Sequence, residues 1–238
     1  MNVENIKVPL RIVITGGSSG IGKAVALEMA KSKHSFYLTG RNETRLKELC
    51  NDLESKGCKA FYGVGEVSDE QAVDRMLKEI KEELGGLDVI FANAGVGYFG
   101  NLEDLTIEQY DEQFNTNVRG VFLWLNRTLP LLKKQNKGQI IVTSSNLGLK
   151  TGARGSLYAA TKHAVQAMVW SLRDELKGTG VKAATINPGS VDTPWFDGKE
   201  VDRSKMLAVE DVAKTVRFII DQNDTSNIDH VLLLPGKN

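Results

Sequence analysis

The stretch TGGSSGIG at residues 15–22 decides the fold because of what surrounds it. An apolar run at residues 12–14 comes before it, and a run with a helical pattern follows. A strand that turns tightly into a helix aims the free N–H groups and the positive dipole end of that helix at one point, which suits an anionic phosphate. Gly16, Gly20 and Gly22 are spaced G-x-x-x-G-x-G, whereas the dinucleotide fingerprint is G-x-G-x-x-G. An ordinary glycine turn also explains the stretch, so the rest of the chain must separate the two interpretations.

Composition narrows the class of protein. The 238 residues are 41% hydrophobic and 25% charged with a formal net charge of +0, which is typical of one large α/β domain over residues 1–238 and gives no basic excess for a nucleic-acid partner. With no apolar run near 20 residues and no leader pattern, we expect no membrane span and a cytoplasmic location. Cys50 and Cys58 lack clustered histidines, so we expect reduced structural thiols and no metal site.

Short β-branched or apolar runs alternate with longer helical patterns along the chain. Seven strands separated by helices predict right-handed crossovers and a mostly parallel sheet with helices on both faces, which is the doubly wound, Rossmann-like α/β fold. The predicted strands cover residues 11–15, 35–40, 60–64, 88–92, 139–143, 181–187 and 230–234.

Local signals mark helix starts and one long loop. Ser68 with Gln71, and Thr106 with Gln109, have capping-box spacing. Residues 189–207 form an irregular stretch, and a loop of that length in a compact domain is usually a lid or a binding segment. We therefore expect this segment to contact the substrate.

Polar residues follow several of the predicted strands. NAG comes after the fourth strand at residues 93–95, SSN after the fifth at 144–146, and PGSVDT after the sixth at 188–193. In a doubly wound sheet the ligand crevice lies beyond the carboxyl ends of the strands, where the strand order switches. Each stretch alone is ordinary turn chemistry, but together with the glycine turn they predict one ligand site.

A tyrosine and a lysine supply the chemistry of that site. YAATK places Tyr158 and Lys162 on one face of a helix predicted over residues 158–177. A nearby ammonium favours the phenolate, so we expect Lys162 to lower the Tyr158 pKa and make this side chain a general acid or base. Ser145, at the end of the fifth strand, is placed to bond the same substrate oxygen, although a hydroxyl there also caps its own backbone.

These motifs, in this order and approximate spacing, resemble the classical short-chain dehydrogenase/reductase family over nearly the whole chain. The resemblance implies that Tyr158 is the acid/base, that Ser145 orients the carbonyl and that Lys162 lowers the tyrosine pKa and binds the nicotinamide ribose. It also implies that Asn117 joins a water-linked proton relay, a role the helical pattern around this asparagine does not reveal. From the residues alone, Asn117 is a solvated polar position.

The resemblance further implies which residues contact a nicotinamide dinucleotide. Gly16, Ser18, Gly20 and Ile21 would line the pyrophosphate and ribose. Asn93 and Gly95 would lie at the adenosine ribose, and Thr193 at the nicotinamide carboxamide. The full set implied for the cofactor is Gly16, Ser18, Ser19, Gly20, Ile21, Arg41, Glu66, Val67, Asn93, Gly95, Tyr158, Lys162, Pro188, Gly189, Val191 and Thr193.

The end of the second strand predicts which dinucleotide binds. An acid about 20 residues beyond the glycine turn bonds the ribose 2′-OH of NAD, whereas an arginine accepts the 2′-phosphate of NADP. Gly40 takes the acid position here and Arg41 follows it, so we predict NADP(H) rather than NAD(H). The alternative is that Arg41 is a solvated charge. Glu66 departs from the aspartate usual in the family near the adenine.

The sequence leaves open both the identity of the substrate and the direction in which the reaction runs. Residues 146–156 and 191–207 would line the pocket, and the second segment mixes Trp195 and Phe196 with charges that suit either a substrate or the solvent face of a lid. The chain lacks the DGG ending of acyl-carrier-protein reductases and is more like short family members acting on 3-hydroxy acids and small carbonyl compounds. His34, His163 and His230 have no motif support and are interpreted as structural.

The sequence also predicts an oligomeric state and an activity. The helix over residues 158–177 is apolar around much of its circumference, which favours a homodimer or homotetramer, although burial under Phe122, Trp124 and Leu125 would also explain it. We predict an NADP(H)-dependent enzyme that reduces a small carbonyl compound or oxidises the corresponding alcohol. The rival hypothesis is a catalytically silent NADP(H)-binding sensor or scaffold.

Overall fold

The central sheet organises the molecule. A computed structural model describes residues 9–236, and these form a seven-stranded sheet in the order β3-β2-β1-β4-β5-β6-β7 with parallel pairings throughout. The doubly wound fold is therefore confirmed, and each strand begins and ends within one residue of its predicted bounds. The strands are β1 Arg11–Thr15, β2 Ser35–Gly40, β3 Lys59–Val64, β4 Val89–Ala92, β5 Gly138–Thr143, β6 Val181–Pro188 and β7 His230–Leu233.

Helices cover both faces of this sheet. Side chains alternate along a strand, so Ile12 and Ile14 of β1 pack on one face and Val13 packs on the other, all three fully buried. The first face is covered by α1, α2 and α7, and the second by α3, α5 and α6. The helices are α1 Gly20–Met29, α2 Glu43–Ser55, α3 Glu70–Leu84, α4 Ile107–Phe114, α5 Gly120–Gln135, α6 Ser156–Glu175 and α7 Val209–Ile220.

One of the two predicted capping boxes is present. Thr106 and Gln109 cap α4 reciprocally, as expected. The box expected from Ser68 and Gln71 is wrong, because Asp69 is the N-cap of α3 and its carboxylate accepts the Gln71 N–H at 2.9 Å. The Asp69 carboxylate, one residue closer to the helix, therefore accepts the N–H bond that was predicted for the Ser68 hydroxyl.

Helix α6 begins and ends two residues before its predicted bounds of 158–177. Its start follows Gly155, which places Tyr158 in the first turn. The cysteines Cys50 and Cys58 are both free and buried. Between residues 9 and 236 we find no helix with the length and apolar character needed to cross a membrane.

Candidate active site

The carboxyl ends of β1, β4 and β5 are tied together by side-chain hydrogen bonds. The Thr15 hydroxyl accepts the N–H groups of Asn93 at 2.9 Å and Ala94 at 3.1 Å. The Thr143 hydroxyl donates to Asn93 Oδ1 at 3.0 Å. Since β1 and β4 flank the switch in strand order, these bonds hold the crevice edge where a ligand is expected in this fold.

The glycine turn between β1 and α1 forms a close-packed cradle. Gly16 and Gly20 have φ angles of +65° and +51°, the left-handed region that glycine adopts without strain. A Cβ placed on Gly22 would lie 2.3 Å from the Gly16 carbonyl oxygen, so this position also requires glycine. Ser19 is the N-cap of α1 but makes no capping bond through its side chain. The first N–H groups of α1 are thus left for an anion, and the cradle fits a dinucleotide pyrophosphate.

The cradle and the predicted catalytic residues belong to one site. A Cβ on Gly16 would lie 2.9 Å from Ala94 Cα, and a Cβ on the next residue, Gly95, would lie 3.7 Å from Lys162 Nζ. On the other side, a Cβ on Gly20 would lie 3.3 Å from Thr193 Cγ2. Residues from four separate segments therefore meet at this edge, as the sequence predicts.

Ser145 lies on a buried polar network at the end of β5. Its hydroxyl accepts the Leu147 N–H at 3.1 Å, and its carbonyl accepts the Asn187 amide at 3.1 Å. The Asn187 amide also donates to Gln166 Oε1 at 2.8 Å. Because Asn187 and Gln166 are both buried, this network fixes the backbone that carries the serine.

Tyr158 and Lys162 are buried side by side in the first two turns of α6. Tyr158 is 7% exposed and Lys162 is 4% exposed. Lys162 Nζ donates to the Thr143 carbonyl at 2.9 Å and lies 5.6 Å from the centre of the Tyr158 ring. The lysine therefore reaches past the tyrosine to the end of β5.

Burial dominates the ionisation of both Tyr158 and Lys162. Burial raises the pKa of Tyr158, and the hydrogen bond with Ser145 opposes that rise only in part. Burial also lowers the pKa of Lys162 to about 8. The net shift for Tyr158 is therefore upward, because desolvation of the phenol dominates. Lys162 directs its hydrogen bond to the Thr143 carbonyl, and its expected lowering of the Tyr158 pKa stays a prediction. Burial thus favours the protonated form of Tyr158.

Asn117 lies inside the protein, not on a solvated surface. It belongs to a π-helical turn over Asn115–Arg119, between α4 and α5, and is 1% exposed. Its side chain accepts the Val96 N–H and donates to the Val96 carbonyl, both at 2.9 Å, and also donates to the Thr161 hydroxyl at 3.1 Å. π-helical turns frequently occur at functional sites. Here the turn anchors the loop after β4 beside Lys162.

Arg41 lies at the other end of the crevice between two carboxylates. Its guanidinium is 3.6 Å from Glu66 and 3.8 Å from Glu112 of α4. Glu112 also accepts the hydroxyl of Tyr98, and its carboxylate raises the pKa of that phenol. A 2′-phosphate bound by Arg41 would thus meet two acidic neighbours.

The other residues implied for the cofactor flank this edge or pack beneath it. Val67 packs against α5, where a Cβ on Gly120 would lie 2.7 Å from Val67 Cγ2. Gly189 donates its N–H to Leu233 of β7 at 2.8 Å, and Val191 forms an isolated bridge with Leu207. The roles of these residues, and of Ser18, Ile21 and Pro188, stay predictions.

The three histidines have structural contacts, as interpreted. His34 accepts the Leu10 N–H at 3.0 Å, the His163 ring lies 2.9 Å from the Ala159 carbonyl, and His230 lies beside Asp229. Within residues 9–236, no group of three or more His, Cys, Asp or Glu side chains is arranged to hold a metal ion.

Sequence reasoning missed several supporting residues. Asn187 and Gln166 carry a recognisable signal, because each is a polar residue inside an apolar stretch and such buried polar groups require partners. Gly97 and Phe99, which contact the aromatic side chains around Tyr158, and Glu112, which faces Arg41, give no such signal. Their roles depend on how α4 and the loop after β4 pack against the sheet.

Comparison with known proteins shows which family the chain belongs to. Residues 11–204 match the family model for short chain dehydrogenases. The chain belongs to this family and is an oxidoreductase of it. An uncharacterised oxidoreductase of Staphylococcus epidermidis is 35% identical over 223 residues, which is 94% of this chain and 96% of that relative.

Solved structures of the family share the fold. An alcohol dehydrogenase from the archaeon Thermococcus sibiricus, complexed with 5-hydroxy-NADP, is 30% identical with a TM-score of 0.91 and covers 97% of this chain and 98% of its own. A short chain dehydrogenase/reductase from Burkholderia phymatum, in complex with NAD, is 25% identical with a TM-score of 0.87 and covers 94% of this chain and 88% of its own. Similar structures thus hold either dinucleotide.

Proposed function

We propose that the protein transfers a hydride between NADP(H) and a small carbonyl compound or its alcohol, with Tyr158 as the general acid/base. The observation that carries this proposal is the meeting of Ser145, Tyr158 and Lys162 at the sheet edge that also holds the glycine cradle. A hydroxyl pair and a buried lysine beside an anion-binding helix end form a constellation suited to hydride transfer with proton transfer.

The residues of the site have distinct parts in the reaction. When bound, the nicotinamide supplies or accepts the hydride. Ser145 donates a hydrogen bond to the substrate oxygen, and Tyr158 donates its proton to the same oxygen as the carbonyl becomes an alcohol. Lys162 places positive charge near the tyrosinate that remains, which stabilises it. In the oxidation direction Tyr158 takes the proton back.

The same residues serve both directions of the reaction, and burial of Tyr158 favours the protonated form that donates in carbonyl reduction. A protonated phenol is ready to donate, whereas alcohol oxidation needs its anion. Asn117 is proposed to contribute to proton relay from its buried position between Val96 and Thr161.

The preference for NADP(H) is supported by Arg41, which follows β2 where the 2′ position of the adenosine ribose is expected. Glu66 and Glu112 work against this preference, since they already neutralise part of the Arg41 charge. We therefore propose NADP(H) as the favoured cofactor, with weaker binding of NAD(H) to the same cradle.

The assembly proposed is a homodimer or homotetramer through α5 and α6. Trp124 and Leu125 are buried within the subunit, whereas Phe122 and Trp170 keep about half of their surfaces exposed. Light scattering that gives a monomer mass at all concentrations would contradict this assembly. Two other expectations also stay predictions: that residues 1–238 form one functional domain, and that the protein is cytoplasmic.

Cofactor titration and a turnover screen with matched variants test the proposed function. Fluorescence titration measures NADPH and NADH binding, and NADPH consumption is followed with ketones, 3-oxo esters, quinones and aldehydes. Tyr158→Phe should lower kcat by about 10²–10⁴-fold, the range for general acid catalysis, without a loss of NADPH affinity. Tyr110→Phe, at a half-exposed tyrosine of α4, is the control. Tight binding without turnover in the wild type would favour a sensor instead.

A further inference from the structure

Three aromatic rings form a cluster around the predicted acid/base. The Tyr158 ring centre lies 5.0 Å from that of Phe99 and 5.5 Å from that of Trp195, and the Phe99 and Trp195 centres are 6.3 Å apart. These distances are in the range of direct ring contacts. Phe99 comes from the loop after β4, and Trp195 comes from the segment after β6. We refer to Phe99 and Trp195 as the aromatic wall.

The loop after β4 is shaped to admit the indole ring. A Cβ on Gly97 would lie 2.2 Å from Trp195 Cζ2 and 3.0 Å from Tyr158 Cδ2, so a side chain at this position would force the tryptophan away. The same loop is anchored on α4, because the Tyr98 N–H donates to the buried Gln113 side chain. The loop that carries Phe99 is therefore anchored, and Gly97 leaves room for Trp195 to lie against Tyr158.

The aromatic wall exposes apolar surface to solvent beside the buried Tyr158. Phe99 is 48% exposed and Trp195 is 37% exposed, whereas Tyr158 is only 7% exposed. Exposed aromatic surface next to polar groups is typical of a ligand-binding surface. A substrate whose oxygen reaches Tyr158 would bring one of its carbonyl substituents towards this surface.

Three charges of the segment after β6 form ion pairs with one another. Arg203 lies 3.1 Å from Asp192 and 2.6 Å from Asp197, which leaves the rings and not these charges beside Tyr158. Lys199 lies over the Trp195 ring, with its Nζ 5.8 Å from the ring centre. A cation at this position would favour an anionic substrate, so the test must include one.

We propose that the aromatic wall binds a flat, uncharged aryl group next to the reacting carbonyl, so that the substrate class is aryl ketones and the alcohols derived from them. This inference rests on the proposed function and assigns substrate specificity to Trp195 and Phe99. Flat rings gain stacking contacts on this wall that a short alkyl group does not make.

Three ketones and a set of variants test the inference. We would measure kcat and KM with NADPH for acetophenone, 2-butanone and 3-oxobutanoate, using the wild type, Trp195→Ala, Trp195→Phe and Phe99→Leu. Phe218→Ala, at an exposed phenylalanine of α7, is the control. NADPH titration and melting temperature verify that each variant is folded and loaded.

The wild type is expected to have a kcat/KM for acetophenone at least about ten times that for 2-butanone, the scale of one or two aromatic contacts. Trp195→Ala should remove most of this ratio through KM, Trp195→Phe should keep most of it, and Phe218→Ala should leave it unchanged. Preference for 2-butanone or 3-oxobutanoate, or an equal loss on all three ketones in Trp195→Ala, would overturn the inference and leave the proposed function standing. If none of the three ketones is reduced but another carbonyl compound is, the inference fails alone. Absence of turnover with every carbonyl compound despite bound NADPH would overturn both.

Discussion

Replacing Glu112 with glutamine should strengthen NADPH binding. Glu112 lies 3.8 Å from Arg41, and the two side chains are 42% and 62% exposed. An ion pair this exposed contributes about 0.2–1 kcal/mol, and a 2′-phosphate must compete with that attraction to engage the guanidinium. Since 1.4 kcal/mol is a factor of ten in affinity, Glu112→Gln should lower the Kd for NADPH by up to about five-fold. The glutamine carbonyl still accepts the Tyr98 hydroxyl, so the fold around this position is retained.

The assay is fluorescence titration of NADPH and NADH at low and high salt. NADH has no 2′-phosphate, so its Kd should stay constant, and the NADPH effect should shrink at about 1 M salt because exposed charges are screened there. Glu103→Gln removes the same charge from an exposed position in the turn before α4 and serves as the control. An equal gain for both dinucleotides, or none for NADPH, would refute the assignment of Arg41 to the 2′-phosphate.

Two further predictions concern the cradle and the buried lysine. Gly22→Ala places a methyl group 2.3 Å from the Gly16 carbonyl oxygen, so the turn must shift. We expect the free energy of unfolding in urea to fall by roughly 1–3 kcal/mol and NADPH to bind more weakly. A variant with the stability and the NADPH affinity of the wild type would contradict the close packing described. For Lys162, burial lowers the pKa from 10.5 to about 8, so between these values the unfolded chain binds more protons than the folded one, and stability rises with pH. The wild type should therefore gain unfolding free energy relative to Lys162→Met as the pH rises from 8 towards 10.5, whereas a constant difference would show that the lysine is not desolvated.

Strand positions were predictable because parallel strands are covered on both faces. Such strands are continuous apolar runs bounded by turn residues, and that pattern depends on little else than burial. The N-cap of α3 shows where this local reasoning becomes uncertain. Ser68 and Asp69 are both competent caps, and the choice between them depends on where the chain leaves β3, which the sequence pattern does not determine to one residue.

The catalytic residue types were predictable, but their electrostatics were not. The spacing of Tyr158 and Lys162 places both on one helix face, yet it gives neither their depth nor their other partners. Lys162 reaches the Thr143 carbonyl only because β5 ends beside α6, and Tyr158 is desolvated partly by Trp195 from a distant segment. A pKa depends on such tertiary neighbours, so the upward shift that burial causes at Tyr158 could not be predicted from the spacing of two residues.

Helix α4 joins the two ends of the site through neighbouring residues. Glu112 faces Arg41 and also accepts the Tyr98 hydroxyl, while Gln113 accepts the Tyr98 N–H. Alanine and glutamine at position 112 both remove the charge near Arg41, but only alanine leaves the Tyr98 hydroxyl without its acceptor. Since Tyr98 directly precedes Phe99 of the aromatic wall, loss of that hydrogen bond should also affect the wall.

Glu112→Ala should therefore gain NADPH affinity as Glu112→Gln does and, in addition, raise the KM for a ketone by loosening Phe99. Tyr98→Phe should reproduce the effect on KM without the gain in cofactor affinity, which separates the two contacts of one carboxylate. If Glu112→Ala and Glu112→Gln have the same ketone KM, the link from α4 to the wall is absent. Cofactor selection and substrate binding would then depend on separate parts of the chain.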